Sequence, residues 1–212
     1  LVLSKNEYYI RNKMKAFPKI KEIDFISNLR GELDLTNNKD AICEGETPYV
    51  LLRGRHIGYY ELRGNTDPEY VDEDFVCGLQ KEKYIRKDRL VCQQIVNMAK
   101  KRRMSFALVS KNNVLGNSCN FISIDSNEYG VNYYYLLGIL NSDLMDWYFK
   151  LTSSNNHINN YEIDNLPIPI NYEKKDDLTR LVKEYIAAPK ESILSGINEL
   201  VYDAGQNTFF WS

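Results

Sequence analysis

The chain has 212 residues, a length between one large domain and two small ones that buries roughly 70% of its unfolded surface. Hydrophobic residues at 43% and charged residues at 26% are ordinary globular values; no apolar run suits a membrane span and no apolar N-terminal segment suits secretion. The four cysteines, Cys43, Cys77, Cys92 and Cys119, lack paired spacing, which argues against a zinc cluster and fits reduced thiols in the cytoplasm.

A net charge of −2 offers phosphate little general attraction, yet the charge is unevenly spread. Between Lys81 and Lys111 ten basic residues face two acidic ones, a local +8 that leaves the remainder at −10. Such asymmetry predicts a localised basic surface, although a solvated helix face would carry the same charges.

In chain order, residues 1–16 place Tyr9, Ile10, Lys13 and Met14 in a helical pattern among basic residues, ended by Pro18. Residues 25–35, FISNLRGELDL, alternate as short strands around Gly31. Residues 49–62, YVLLRGRHIGYYEL, predict a strand, a tight turn and a second strand, with Arg53, Gly54, Arg55 and His56 at the tip. Arginines so placed can read guanine edges bidentately or hold phosphates; the same residues also suit a plain polar tip.

Arg89, Leu90, Val91, Ile95, Val96 and Met98 predict a strand passing into a helix, followed at once by Lys100, Lys101, Arg102 and Arg103. Phe106–Val109 reads as a strand and 120–124 as its return, across a polar turn containing Asn112 and Asn113. Amide side chains pair with adenine or with phosphates, and Asx-type turn chemistry accounts for them equally well. Next, Leu136, Ile139, Leu140, Leu144, Trp147 and Leu151 recur at three- and four-residue steps, predicting one amphipathic helix packed into the core. It runs out into a donor-rich loop with Asn155, Asn156 and His157, then into the proline-stiffened extended segment 166–170, LPIPI. Two further helices are predicted, one opened by Asp176 and Asp177 and stopped by Pro189, the other carrying Ile193, Ile197, Leu200 and Val201 and ending at Gly205. Phe209, Phe210 and Trp211 close the chain, packed on the domain or covering a site that another domain would use.

The runs LLGILNSDLMDWYFK and NNHINNYEIDNLPIP, preceded by YVLLRGRHIGYYELRG and RLVCQQIVNMAKKRRMSFALVSKNNVLGNSCNFISI and followed by INELVYDAG, resemble the C-terminal specificity region of TaqI-like adenine-N6 DNA methyltransferases and of fused restriction-methyltransferase enzymes. The expected fold is α+β: a connecting helix in residues 1–24, a curved, mainly antiparallel sheet in 25–130 and a helical support in 131–212. The resemblance implies sequence-specific recognition of double-stranded DNA in a restriction-modification enzyme. The methyltransferase, and a type II endonuclease where fused, would lie outside this chain, with S-adenosylmethionine and Mg²⁺ bound there.

The DNA-binding candidates are Arg53, Arg55, His56, Lys101, Arg102, Arg103, Asn112, Asn113, Asn155, Asn156 and His157. No catalytic or metal-ligating residue is assigned. At 67–70 the adenine-clamping motif of methyltransferases is spoiled by Glu69 in place of its second proline, and no glycine-rich cofactor loop lies upstream. Asp72, Glu73 and Asp74 lack the glycine-bent order of a calcium loop, and Asp24, Glu32 and Asp34 are only loose candidates for a metal nuclease. Two other readings are half of a type I specificity subunit, which needs long coiled helices, and a protein-interaction module that uses the aromatic tail.

Overall fold

Segments rich in β-branched and aromatic residues pair into two sheets in a computed structural model that describes residues 3–64, 66–126 and 130–206. The first sheet is antiparallel throughout, in the order β1 (Ile26–Arg30), β8 (Cys119–Ile124), β5 (Arg89–Gln93) and β6 (Phe106–Val109). The second runs β2 (Ile42–Cys43), β4 (Tyr70–Val71), β3 (Val50–Leu52) and β7 (Asn113–Leu115), with β3 and β7 parallel.

Side chains alternate across a strand, so each sheet presents two faces. Leu90, Cys92, Phe106 and Ile122 of the first sheet meet the helices. Val91, Ala107, Val109 and Phe121 meet Leu52 and Leu115 of the second sheet. Leu51, Val71 and Val114 point the other way, onto Leu33, Val76 and Ile85, the last two supplied by the short helices α2 (Glu73–Cys77) and α3 (Glu82–Ile85). The helical layer comprises α1 (Lys5–Met14), α4 (Tyr133–Leu140), α5 (Asp143–Thr152), α6 (Asn160–Asp164), α7 (Lys175–Ala187) and α8 (Glu191–Gln206). Gly138 lets α4 and α7 cross closely, since a Cβ there would lie 2.8 Å from Val182 Cγ2. The fold class is α+β, as expected. No helix among the described residues is long and apolar enough to cross a membrane.

Four expectations are corrected. The single helix across 133–151 is two, because Ser142 caps α5 by accepting from Met145 N while Asn141 turns inward and both accepts from and donates to the Phe106 backbone, at 2.7 and 2.9 Å. The hairpin over 49–62 does not form: β3 pairs with β4 and β7, and Arg53 leads into a 3-10 turn at Gly54–His56. No helix follows β5, because the N–H groups of Val96 and Met98 go to Asn156, and those of Arg103 and Met104 to Asp146. The basic stretch forms no single surface, since Arg89 and Arg103 are interior while Arg86, Lys87 and Arg102 pair with Glu82, Asp125 and Asp143. The aromatic tail at Phe209, Phe210 and Trp211 lies outside the described residues.

The sheets are joined by a fully buried ion pair between Arg89, which opens β5, and Glu32, which follows β1. Arg89 also donates to Asn113 O, and Glu32 accepts from Leu115 N at 2.7 Å, so both charges are tied to β7. Burial opposes both ionisations, raising the Glu32 carboxyl and lowering Arg89, while their mutual attraction works against it. Glu32 is therefore an interior anchor rather than a cleft carboxylate. Removing one partner leaves an uncompensated buried charge. Arg89→Ala is expected to cost about 3–5 kcal/mol in urea unfolding, and the double change Glu32→Leu with Arg89→Met to recover most of it.

Candidate nucleic-acid interface

The candidate residues scattered along the sequence, Asn112 and Asn113 apart, meet at one end of the first sheet. At the close of β5, Gln94 N donates to Ser118 O at 2.8 Å and Gln94 O accepts from Ile158 N at 2.7 Å. On one side of this seam lies the 3-10 turn: Gly54 N donates to Ser118 Oγ at 2.9 Å, and a Cβ on Gly54 would sit 2.7 Å from Ser118 O. Only glycine lets the backbone approach so closely, and the approach sets where Arg53 and Arg55 point.

On the other side two loops clasp each other. Ile95 and His157 form an isolated bridge, Val96 N donates to Asn156 O, and Met98 N donates to Asn156 Oδ1, the last two both at 2.8 Å. Asn120, wholly buried in β8, donates to Ile158 O at 2.5 Å and anchors the second loop from beneath. Asp146 gathers the base of the first loop by accepting from Arg103 N and Met104 N, each at 2.8 Å. The outer surface carries Ile95, Asn97, Met98, Lys100, Lys101, Asn156 and His157, all exposed.

Each predicted residue now has a place. Arg55, Lys101, Asn156 and His157 are exposed along this edge, and Asn155 is half-buried, its Oδ1 accepting from His157 N at 2.7 Å. Arg53 is half-buried and bidentate to Glu69, at 2.7 and 2.5 Å. His56 is buried. Arg102 stacks on Tyr59, its Cζ 4.4 Å from the ring centroid, and pairs with Asp143. Arg103 is interior, over Phe149, and donates to Asn155 O at 2.7 Å. Asn112 and Asn113 lie at the other end of β5, about 13 Å away at 3.3 Å per residue, where they serve a turn. Asn112, at φ 67°, donates its N–H to Ile85 O, and the Asn113 amide bonds Ser110.

The edge also holds residues outside the predicted candidates. Arg30 Nε donates to Asn117 O, and Lys81 Nζ to Arg30 O, both at 2.8 Å. Arg63 is exposed beside Arg55 and donates to its carbonyl at 3.3 Å. Arg53, Arg55, His56, Arg63, Thr66, Asp67 and Glu69 line a cleft of about 650 Å³.

Residues 49–168 match the model of the TaqI-like C-terminal specificity domain. The chain belongs to that family. A comparison with curated proteins gives no match. Among solved structures, the chain is similar to the type IIL restriction-modification enzyme MmeI in complex with DNA, at TM-score 0.46 and 10% identity, covering 89% of this chain and 33% of that one. It is also similar to the HsdS subunit from Thermoanaerobacter tengcongensis, at TM-score 0.47 and 10% identity over 96% and 51% of the two chains. A chain of a type I restriction-modification assembly gives TM-score 0.44 at 10% identity over 90% and 43%. The chain thus spans between a third and about half of the length of these proteins.

In this specificity domain His56 has an electrostatic role as well as a packing one. Its Nδ1 lies 3.2 Å from Arg53 N and its Nε2 3.2 Å from Arg55 Nε. A neutral imidazole accepts at one nitrogen only, so the two donors compete for it. Burial, then the charges of Arg55 and Arg53, push the ring below the ordinary histidine value, with Glu69 acting the other way. A depressed folded-state value means that the unfolded chain binds the proton first. Stability contributed by His56 is therefore complete above about pH 6.5 and declines as pH falls below it. Urea midpoints measured from about pH 7.5 to about pH 5.5 should fall more steeply for the natural chain than for His56→Gln.

Proposed function

We propose that this chain is the duplex-DNA recognition region of a restriction-modification enzyme, setting DNA against an adenine-N6 methyltransferase and a type II endonuclease carried by other domains. The observation that carries the reading is the convergence of Arg55, Lys101, Asn156 and His157, with Lys100 and Arg63, along one edge. Guanidinium and amide groups are the side chains that read base edges, and lysines hold phosphates. A hydrogen-bonded frame supplies the preorganisation that binding requires. Charge supports the same orientation. The groove between α1, α5 and α8 is lined by Glu7, Glu191, Glu199 and Asp203 and repels a phosphate backbone, which favours the sheet edge as the face for DNA.

In this reading α1 leads in from the catalytic part, the sheets and the 94–105 and 153–159 loops meet the DNA, and α4, α5, α7 and α8 brace them. S-adenosylmethionine and Mg²⁺ belong to the other domains, and the chain alone is expected to transfer no labelled methyl group to DNA and to make no cut. The direct test is fluorescence anisotropy with duplex DNA across a salt series. Affinity should fall with a log–log slope of about 0.9 per phosphate neutralised. Lys100→Ala with Lys101→Ala should lower affinity for all sequences alike and shrink the slope by about 0.9 for each phosphate that is no longer neutralised. An affinity independent of salt would refute the reading.

A further inference from the structure

The cleft beside the 3-10 turn has an uneven charge. Arg53, Arg55 and Arg63 share it with Glu69 and Asp67. A site built only to hold phosphate gains nothing from carboxylates, which weaken its field. A site built to read a base edge gains from them if they orient an arginine, because a guanidinium recognises by its fork and not only by its charge.

Glu69 is placed for that work. Its carbonyl accepts from Leu51 N at 2.8 Å, so its backbone is fixed to β3. Its carboxylate takes Arg53 by two parallel bonds, and its Oε2 lies 3.8 Å from Arg55 Nη2. Arg55 Nε meets His56 Nε2 at 3.2 Å, and Arg63 N donates to His56 O at 2.8 Å, which locks the turn that presents Arg55. The inner side of the Arg55 guanidinium is thus drawn toward the protein, while the side chain stays 66% exposed.

We propose that Glu69 is a positioning residue for base reading: it clamps Arg53 and steers Arg55 so that the outer edge of Arg55 takes O6 and N7 of a guanine in the major groove. The inference rests on the DNA-recognition reading. Arg53 is the inner brace, Arg55 the reader, and Arg63 the cation beside it.

The test is selection of bound duplexes from a randomised pool by the full 212-residue chain, with the enriched sequences read out and affinity measured by anisotropy. The natural chain should enrich a motif containing a G·C pair whose preference falls on the order of tenfold in Arg55→Ala. Glu69→Gln, which keeps the shape and removes the charge, should relax preference at that same pair while total affinity holds or rises. Glu69→Asp should restore part of the preference. Arg55→Lys, at an exposed position, should relax the same pair with the salt slope and melting temperature unchanged. If Arg55→Lys and Glu69→Gln leave the motif intact, or if Glu69→Gln weakens every position alike with a lower melting temperature, the inference is overturned and DNA recognition stands. If the natural chain enriches no motif, sequence recognition itself falls, and this inference with it.

Discussion

The ion pair of Arg89 and Glu32 is the point through which the two sheets hold each other. Apolar contact between sheet faces is non-directional and lets one sheet slide over another. The pair does not. It reaches from β5 through the segment after β1 to the backbone of β7, and Arg89 also lies over Phe121, its Cζ 5.0 Å from the ring centroid. Because neither charge has water to fall back on, the arrangement that pairs them is strongly selected. With the sheets so fixed, Ser118, Gln93 and Gly54 meet in one register, and the edge proposed for recognition follows from that meeting.

Along that edge the division of labour is physical. Arg53, His56, Arg103, Asn120 and Asp146 are turned inward or paired and set geometry, whereas Arg55, Arg63, Lys100, Lys101 and His157 face outward. Arginine and histidine occur on both sides of this boundary, so residue type alone does not place them.

Features made by near neighbours were legible in the sequence. The strands at Phe106–Val109 and Cys119–Ile124 and the helices α7 and α8 follow the period of their apolar residues. Ser142 with Asp143 was a readable start signal inside the 133–151 run, masked because α4 and α5 both pack on the core and keep its spacing continuous. Features made by distant partners were not legible. β3 is parallel to β7, some sixty residues away, and that pairing turns a supposed hairpin tip into a 3-10 turn. Arg89 and Arg103 count as surface charge in a sum over the sequence, yet each finds its partner only in the fold. The amide pair Asn112 and Asn113 suits a turn and a base edge alike, because turn chemistry and base chemistry use the same groups, and its place at the far end of β5 is visible only in the fold.

The clasp between the 94–105 and 153–159 loops is made mostly by main-chain atoms: Val96 N to Asn156 O, Ile158 N to Gln94 O, and the bridge of Ile95 with His157. Main-chain bonds are indifferent to what the side chains are. Ile95, Met98 and His157 can therefore be exchanged for other residues while their Cα positions stay where the clasp puts them. A protein whose target is set at such positions can acquire a new preference by point substitution, without first finding a new loop conformation.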